Sequence, residues 1–135
     1  MYLFDTNIVS ELIKPRPVMA VVERTLACDP QIMFASELTR YELRYGAFGH
    51  PDVEKFWQRI ESELLPRFQW LPIDQPVSML AAQLANAGRQ KGQSIDLPDT
   101  LIAATARAHN LTVITRNVRD FERMPGLRFE NWFPE

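Results

Sequence analysis

Five polar residues occupy positions from which a charged, amide or hydroxyl side chain can reach a cleft. Asp5, Ser36 and Asn117 each follow a short apolar segment typical of a strand, whereas Asp99 and Glu42 lie in segments with helical character. The carboxyl ends of parallel strands meet along one edge of a sheet, so we expect these side chains to gather there. Carboxylates held close together repel one another unless a cation lies between them. Carboxylate oxygens and water suit hard divalent cations, which indicates magnesium or manganese.

Each of these acids also has an ordinary structural explanation. Asp5 could simply cap the first helix, because Asp is a favoured N-cap residue. Asp99 suits the first turn of its helix, where negative charge is favoured by the helix dipole. Glu42 could be an exposed helix residue that pairs with Arg40 or Arg44. The residues alone leave these alternatives open.

The elements that must position these residues alternate along the chain. Short β-prone apolar runs predict strands at residues 2–4, 32–35, 68–73, 111–114 and 127–129. Helical periodicity predicts helices at residues 8–13, 18–27, 37–48, 53–64, 76–87 and 98–109, with a short turn or helix at 120–122. Ser36, Asp52 and Asp96 are the expected N-caps of three of them. The alternation predicts an α/β fold, with a central, mostly parallel sheet of four to five short strands covered by helices on both faces.

Two segments carry more local expectations. Leu38, Tyr41, Tyr45 and Phe48 fall at helical spacing, which predicts the buried stripe of the helix at 37–48. Residues 88–94 are predicted to form a polar, basic loop.

The composition indicates a globular protein, with 46% hydrophobic residues in 135 and a formal charge of -2. We expect one domain spanning residues 1–135. There is no overall basic character, although a local patch would be enough to bind RNA. The single cysteine, Cys28, and the uninvolved His50 and His109 argue against a zinc site. No signal peptide or apolar run of membrane-spanning length is evident, so the sequence predicts a cytoplasmic protein without membrane contact.

Four segments in order resemble the PIN-domain ribonucleases, and most of all the VapC toxins of bacterial toxin–antitoxin pairs. The resemblance runs from Met1 to about Trp132, and its closing part includes Pro125–Leu127 and Asn131. The segments are Phe4-Asp5-Thr6-Asn7, Ser36-Glu37-Leu38-Thr39 with Glu42-Leu43, Pro98-Asp99 with Ile102-Ala103-Ala104-Thr105-Ala106, and Thr115-Arg116-Asn117 with Asp120-Phe121.

The resemblance implies a Mg²⁺- or Mn²⁺-dependent endoribonuclease that hydrolyses RNA phosphodiesters. It also implies a homodimer that a cognate antitoxin holds inactive. The metal-binding and catalytic acids fall on Asp5, Glu42 and Asp99, and the fourth acidic position falls on Asn117, with Asp120 three residues on. Thr6, Ser36 and Thr115 match supporting hydroxyl positions. Arg89, Lys91 and Arg116 are candidates for contacts with the RNA backbone.

Two other functions remain possible from the sequence. A haloacid-dehalogenase-like phosphatase also places an Asp after its first strand, but it needs a second Asp two residues on, where this chain has Asn7. A PIN-like binding module without catalysis is the other alternative, and Asn117 is the feature that favours it.

Overall fold

The fold is built on a five-stranded sheet in which every neighbouring pair is parallel. The computed structural model describes residues 1–134. The strand order is β3-β2-β1-β4-β5, so the first strand is central. The predicted α/β class is therefore confirmed. The strands are β1 Tyr2–Phe4, β2 Met33–Ser36, β3 Gln69–Leu71, β4 Thr112–Ile114 and β5 Phe129–Glu130.

Helices cover both faces of this sheet. The helices are α1 Thr6–Glu11, α2 Met19–Leu26, α3 Glu37–Ala47, α4 Val53–Arg59, α5 Gln75–Gln90, α6 Leu97–Ala108 and α7 Val118–Glu122. One core cluster joins the sheet to α1, α2 and the segment beginning at α4, and the other joins it to α5, α6 and α7. Within residues 1–134, no helix is both long enough and apolar enough to cross a lipid bilayer.

Alternation along the central strands explains why both faces are covered. Phe4 packs into the cluster below α1 and α2, whereas Leu3 packs into the cluster below α5 and α6. Ile114 and Val113 of the neighbouring β4 divide between the same two clusters. Successive side chains of a strand point to opposite faces, so a strand buried on both sides must be apolar throughout. Along these strands, polar side chains replace apolar ones only where the strand ends.

The predicted boundaries are correct to within a few residues for most elements, and two of the three predicted caps form. Ser36 accepts a hydrogen bond from the Leu38 N–H, and Asp52 accepts one from the Lys55 N–H. Asp96 occupies the N-cap position of α6, but its side chain makes no capping hydrogen bond. Beyond α4 the helix continues as a π-helical turn, Ile60–Leu64, and a 3₁₀ turn, Leu65–Arg67.

The predicted loop at residues 88–94 is wrong in its first part, because α5 continues to Gln90. Gly88 lies inside the helix and contacts Ile95 so closely that an added Cβ would stand 2.9 Å from the Ile95 Cδ1 atom. Gly88 therefore permits close packing here rather than ending the helix.

The predicted buried stripe of α3 is also wrong. Tyr41, Tyr45 and Phe48 are 64%, 71% and 59% exposed. The buried residues of α3 are Thr39, Leu43 and Ala47. Spacing identifies a helix face but not the face that meets the core, and here the smaller side chains lie inward, where α3 contacts α1 and α4.

Candidate active site

Asp5 lies at the carboxyl end of the central strand, and two neighbours fix its carboxylate. Its Oδ1 atom accepts a hydrogen bond from the Thr6 N–H at 2.8 Å, and its Oδ2 atom accepts one from the Thr115 hydroxyl at 2.9 Å. The residue is 7% exposed and is the N-cap of α1. The Asp5 N–H donates to the Ile114 carbonyl, which places β1 and β4 side by side at this point. Asp5 is thus a cap and a cleft residue at once.

Glu42 reaches the same place from α3. Its Oε1 atom accepts a hydrogen bond of 2.6 Å from the Thr6 hydroxyl. The alternative in which Glu42 pairs with a neighbouring arginine is wrong. Arg40 pairs with Glu37 at 2.7 Å, and Arg44 pairs with Glu54 at 3.5 Å.

Thr39 is a residue of this site that the sequence did not single out for a role. Its Oγ1 lies 2.9 Å from the Thr6 Oγ1 atom, and the residue is completely buried. The Thr6 hydroxyl has one proton, which it gives to Glu42, so Thr39 is the donor in the contact between the two threonines. In the sequence, Thr39 could be recognised only as part of the Ser36–Thr39 motif. Its role depends on the packing of α1 against α3, which the sequence does not reveal directly.

Asp99 lies in the first turn of α6 and is partly buried. Burial, followed by the negative charges of Asp120, Asp5, Asp96 and Glu42, raises its pKa from 3.8 to about 6.

Burial also raises the pKa of Asp5, although the hydrogen bonds from Thr115 and Thr6 oppose that shift. The charges of Glu42 and Asp120 add to it. These shifts show that several acids act on one another across a common space. A cation placed there would lower both pKa values.

Asn117 and Asp120 complete the acidic end of the cleft. The Asn117 N–H donates to the Thr115 Oγ1 atom at 3.0 Å, and the Asn117 side chain lines the cleft. Asp120, in the first turn of α7, is partly buried and is the strongest of the charges that raise the pKa of Asp99. Asp120 therefore acts on the site although it does not line the cleft wall.

A cleft of about 280 Å³ opens between these residues. Its wall contains three carboxylates together with several side chains that the sequence did not mark as site residues, namely Asn7, Ser10, Pro98 and Ile102. The full lining is Asp5, Thr6, Asn7, Ser10, Glu42, Pro98, Asp99, Ile102 and Asn117.

The donor set of the cleft fits a hard divalent cation. All of its charged ligands are carboxylates, and an amide oxygen is available from Asn117. Across residues 1–134, no three Asp, Glu, His or Cys side chains converge tightly enough to form a complete ligand cluster. Mg²⁺ keeps several of its water ligands and commonly binds through only one or two carboxylates, so this spacing suits it.

The remaining predicted residues lie around the cleft rather than in its wall. Ser36 is completely buried and caps α3. Arg116 is exposed, and its N–H donates to the Asn7 Oδ1 atom at 3.4 Å. Arg89 is not in a loop: it lies in the last turn of α5, beside a separate depression, and donates to Asn86. Lys91 is exposed directly after that helix.

Comparison with known proteins decides the family. The PIN domain profile matches residues 2–127. The chain belongs to the PIN-domain family. Among curated PIN-domain relatives, it is 34% identical to Toxin FitB of Neisseria gonorrhoeae, over 98% of this chain and 99% of that protein. It is 33% identical to Ribonuclease VapC1 of Haemophilus influenzae, over 98% of each.

Solved structures of PIN-domain relatives superpose closely on this one. FitAcB from Neisseria gonorrhoeae gives a TM-score of 0.92 at 32% identity, over 100% of both chains. A toxin-antitoxin complex from Klebsiella pneumoniae gives a TM-score of 0.71 at 30% identity, over 94% of this chain and 95% of that one. The expected resemblance to PIN-domain ribonucleases is thereby confirmed along the whole sheet. The phosphatase alternative is excluded by the family.

Proposed function

We propose that this PIN-domain protein is a metal-dependent endoribonuclease and the toxin of a toxin–antitoxin pair. The observation that carries the proposal is the meeting of Asp5, Glu42 and Asp99 at one cleft, with the pKa of two of them raised. Relatives similar over nearly the full chain bear the names toxin and ribonuclease. We also propose that the protein acts in the cytoplasm, because the proposed substrate is RNA.

We assign a different role in hydrolysis to each group of residues in the cleft. Asp5, Asp99 and Glu42 would hold Mg²⁺ or Mn²⁺ directly or through water ligands that the ion keeps, and the ion would lower the pKa of bound water and neutralise charge on the phosphate. Thr115 and the Thr6 N–H orient the Asp5 carboxylate, and the Thr6 hydroxyl orients Glu42 through Oε1. Oε2 of Glu42 would be available to accept the proton of the attacking water. Direct attack by water leaves a 5′-phosphate on one product.

The decisive experiment replaces the central carboxylate by its amide. Asp5→Asn keeps the size and capping ability of the side chain, since Asn and Asp cap comparably. If Asp5 is a metal ligand, RNA cleavage is lost and metal-free melting stays equal or rises, because one of several repelling charges is gone. The wild type gains about 2.7 kcal/mol when the metal ion is at a hundred times its Kd, whereas the variant gains much less.

Asp74→Asn is the matched control, because Asp74 caps α5 through the Val77 N–H and lies outside the cleft. It should leave both cleavage and the metal response intact. If Asp5→Asn behaves like this control, Asp5 is only a helix cap. If the wild type cleaves no RNA with either metal, the protein is a binding module.

The fourth acidic position of the site is occupied by the neutral Asn117, and Asp120 supplies the fourth negative charge instead. We expect Asp120→Asn to bring the pKa of Asp99 down towards its ordinary value, because it removes the strongest neighbouring charge. The same change should slow cleavage at limiting metal concentration. NMR titration of the Asp99 carboxyl group measures the first effect and a cleavage assay the second.

The neighbouring exposed acid provides the control for this experiment. Glu122→Gln removes an equal charge from the same helix, but Glu122 is not among the charges that act on Asp99. Asn117→Asp in the Asp120→Asn background should restore cleavage. Equal effects of the Asp120 and Glu122 substitutions would refute the assignment.

The proposed partners are a second copy of the chain and a cognate antitoxin. A basic side chain of the antitoxin, entering the acidic cleft, would pair with its carboxylates and exclude the metal ion. A complex in which Asp5, Glu42 and Asp99 all remain open to solvent would contradict this mode of inhibition.

A further inference from the structure

We propose that a surface of five arginines, which runs from the edge of the cleft to the opposite end of β4, binds the phosphate backbone of the RNA. The arginine surface consists of Arg107, Arg116, Arg119, Arg123 and Arg128. The proposal rests on the ribonuclease function and names the face of the molecule along which the substrate lies.

The charge of this surface is the reverse of that of the chain as a whole. Residues 107–128 contain five of the fifteen basic residues of the protein but only two of its seventeen acidic residues. One of those two, Asp120, belongs electrostatically to the cleft. A local positive surface on a protein of net negative charge gives a polyanion one place to bind.

None of the five arginines forms a salt bridge with a residue between 1 and 134. In the described part of the chain, the cations of all five salt bridges lie between Lys14 and Arg59. All five residues of the arginine surface are exposed. Their charges are therefore not neutralised by contact with a carboxylate of residues 1–134. Exposed arginines are well suited to phosphate, since the guanidinium presents several donors in a planar array.

The arginine surface begins at the cleft itself. Arg116 follows Thr115, its N–H donates to Asn7 of the cleft wall, and its guanidinium lies 4.4 Å from the centre of the Phe133 ring. Arg119 lies in α7 and Arg123 is the C-cap residue of that helix, one turn further on, while the buried Phe121 anchors α7. Backbone phosphates that flank a scissile bond in the cleft would meet these three arginines first.

The other two arginines extend the surface to the opposite end of β4. Arg128 donates to the Asn110 carbonyl at 3.1 Å and to the Asn110 Oδ1 atom at 2.9 Å. Arg107 lies beside Gly126, with its Nε atom 3.4 Å from the position of an added Cβ. Gly126 has a φ of 72°, which favours glycine, and the absence of a Cβ at this position leaves room for the Arg107 side chain.

The experiment measures RNA binding as a function of salt. Metal-free protein in chelator is titrated with a 20-nucleotide poly(U) strand, so that no cleavage interferes. The slope of log K against log salt is negative. For a single strand, its magnitude should decrease by about 0.7 for every phosphate that the protein no longer neutralises. Arg119→Gln with Arg123→Gln should therefore reduce the slope by about 1.4 and weaken binding at low salt.

The control is Arg59→Gln with Arg67→Gln, which removes the same charge from exposed residues outside the arginine surface. It should leave the slope within about 0.3 of the wild type, since the arginines that bind phosphate are all retained. Equal slopes for the two double variants overturn the proposal. The same variants are also titrated with poly(glutamate). If Arg119→Gln with Arg123→Gln loses binding to poly(glutamate) but keeps its affinity for poly(U), the arginine surface binds an acidic protein instead of RNA, and the proposal is also overturned. A wild type that binds poly(U) in this way but never cleaves RNA with metal refutes the ribonuclease function alone.

Discussion

The site depends on hydroxyl groups as much as on acids. Thr115 and Thr6 each donate to a carboxylate of the cleft, and Thr39 donates to Thr6 in turn. A carboxylate whose acceptor atoms are already oriented loses little freedom when it binds a cation. Removing a threonine should therefore loosen metal binding without changing the charge of the site.

Asp99 gives the metal-free protein a characteristic dependence on pH. Its raised pKa means that the folded chain binds this proton more tightly than the unfolded chain. The resulting stabilisation is fully present below pH 3.8 and is lost as the pH rises through about 6. Allowing for solvent screening, the loss is on the order of 1–2 kcal/mol.

Thermal melting in chelator between pH 4 and pH 7 measures this effect. The difference in stability between the wild type and Asp99→Asn should change over that interval. Asp29→Asn, which alters an exposed cap outside the cleft, is the reference variant. A constant difference between wild type and Asp99→Asn would show that Asp99 does not feel its acidic neighbours.

The sequence predicted that Asp5, Glu42 and Asp99 would lie together, as they do in the cleft wall, but it did not predict the hydrogen bonds that orient them. Asp5 and Asp99 stand at element boundaries, where local patterns are informative. Thr39 lies within a helix, and nothing local distinguishes it from any other helical threonine. The influence of Asp120 on Asp99 likewise depends on how α7 packs against α6, and that packing is a property of the fold.

At the scale of elements, a buried acid holds the proline-containing turn after α1. Glu11 is 2% exposed, and it accepts hydrogen bonds from the Lys14 ammonium at 2.9 Å and from the Val18 N–H at 2.8 Å. Burial alone would raise its pKa, but these bonds and the charges of Lys14 and Arg116 lower it overall. Glu11 therefore ties residues 12–18 to α1 while remaining ionised.

Replacing this acid should destabilise the protein strongly. Glu11→Ala leaves the Val18 N–H without an acceptor, which costs about 2–3 kcal/mol, or roughly 5–10 °C in Tm for a chain of this size. Lys14→Met removes only an exposed partner and should cost less than about 1 kcal/mol. Comparable Tm values for the two variants would mean that the Val18 contact contributes little.

Element types were predictable, whereas helix faces and ends were less so. Strands and helices follow from apolar runs and periodicity, and all five strands appear where expected, within a few residues. The orientation of α3 was mispredicted because its aromatic residues were assumed to be core residues. The length of α5 was mispredicted because Gly88, which usually favours a helix end, here permits contact with Ile95.

At the scale of the molecule, the exposed aromatic side chains of α3 point to a dimer. The rings of Tyr41 and Tyr45 are stacked 6.2 Å apart, and both are mostly exposed. Large clusters of exposed apolar side chains usually mark interaction surfaces. A second copy of the chain can cover this stripe with the same stripe of its own, as in a twofold interface.

Sedimentation velocity at micromolar concentration tests the dimer. Wild type should sediment as a dimer, and Tyr41→Ser with Tyr45→Ser should shift it to a monomer. Met19→Ser with Leu26→Ser, which removes two exposed apolar side chains of α2, should leave it unchanged. A wild type that is monomeric without its antitoxin would contradict the prediction.

The central position of β1 has a consequence for the moment at which the protein becomes active. Asp5 precedes Asp99 by 94 residues and Thr115 by 110 residues, so β1 is synthesised long before β4 and the rest of the site. At about 5–20 residues per second, the growing chain spends several seconds with β1 unpaired on its β4 side. A chain interrupted before β4 has no complete cleft. The order of synthesis thus delays assembly of the cleft until Thr115 has been added to the growing chain.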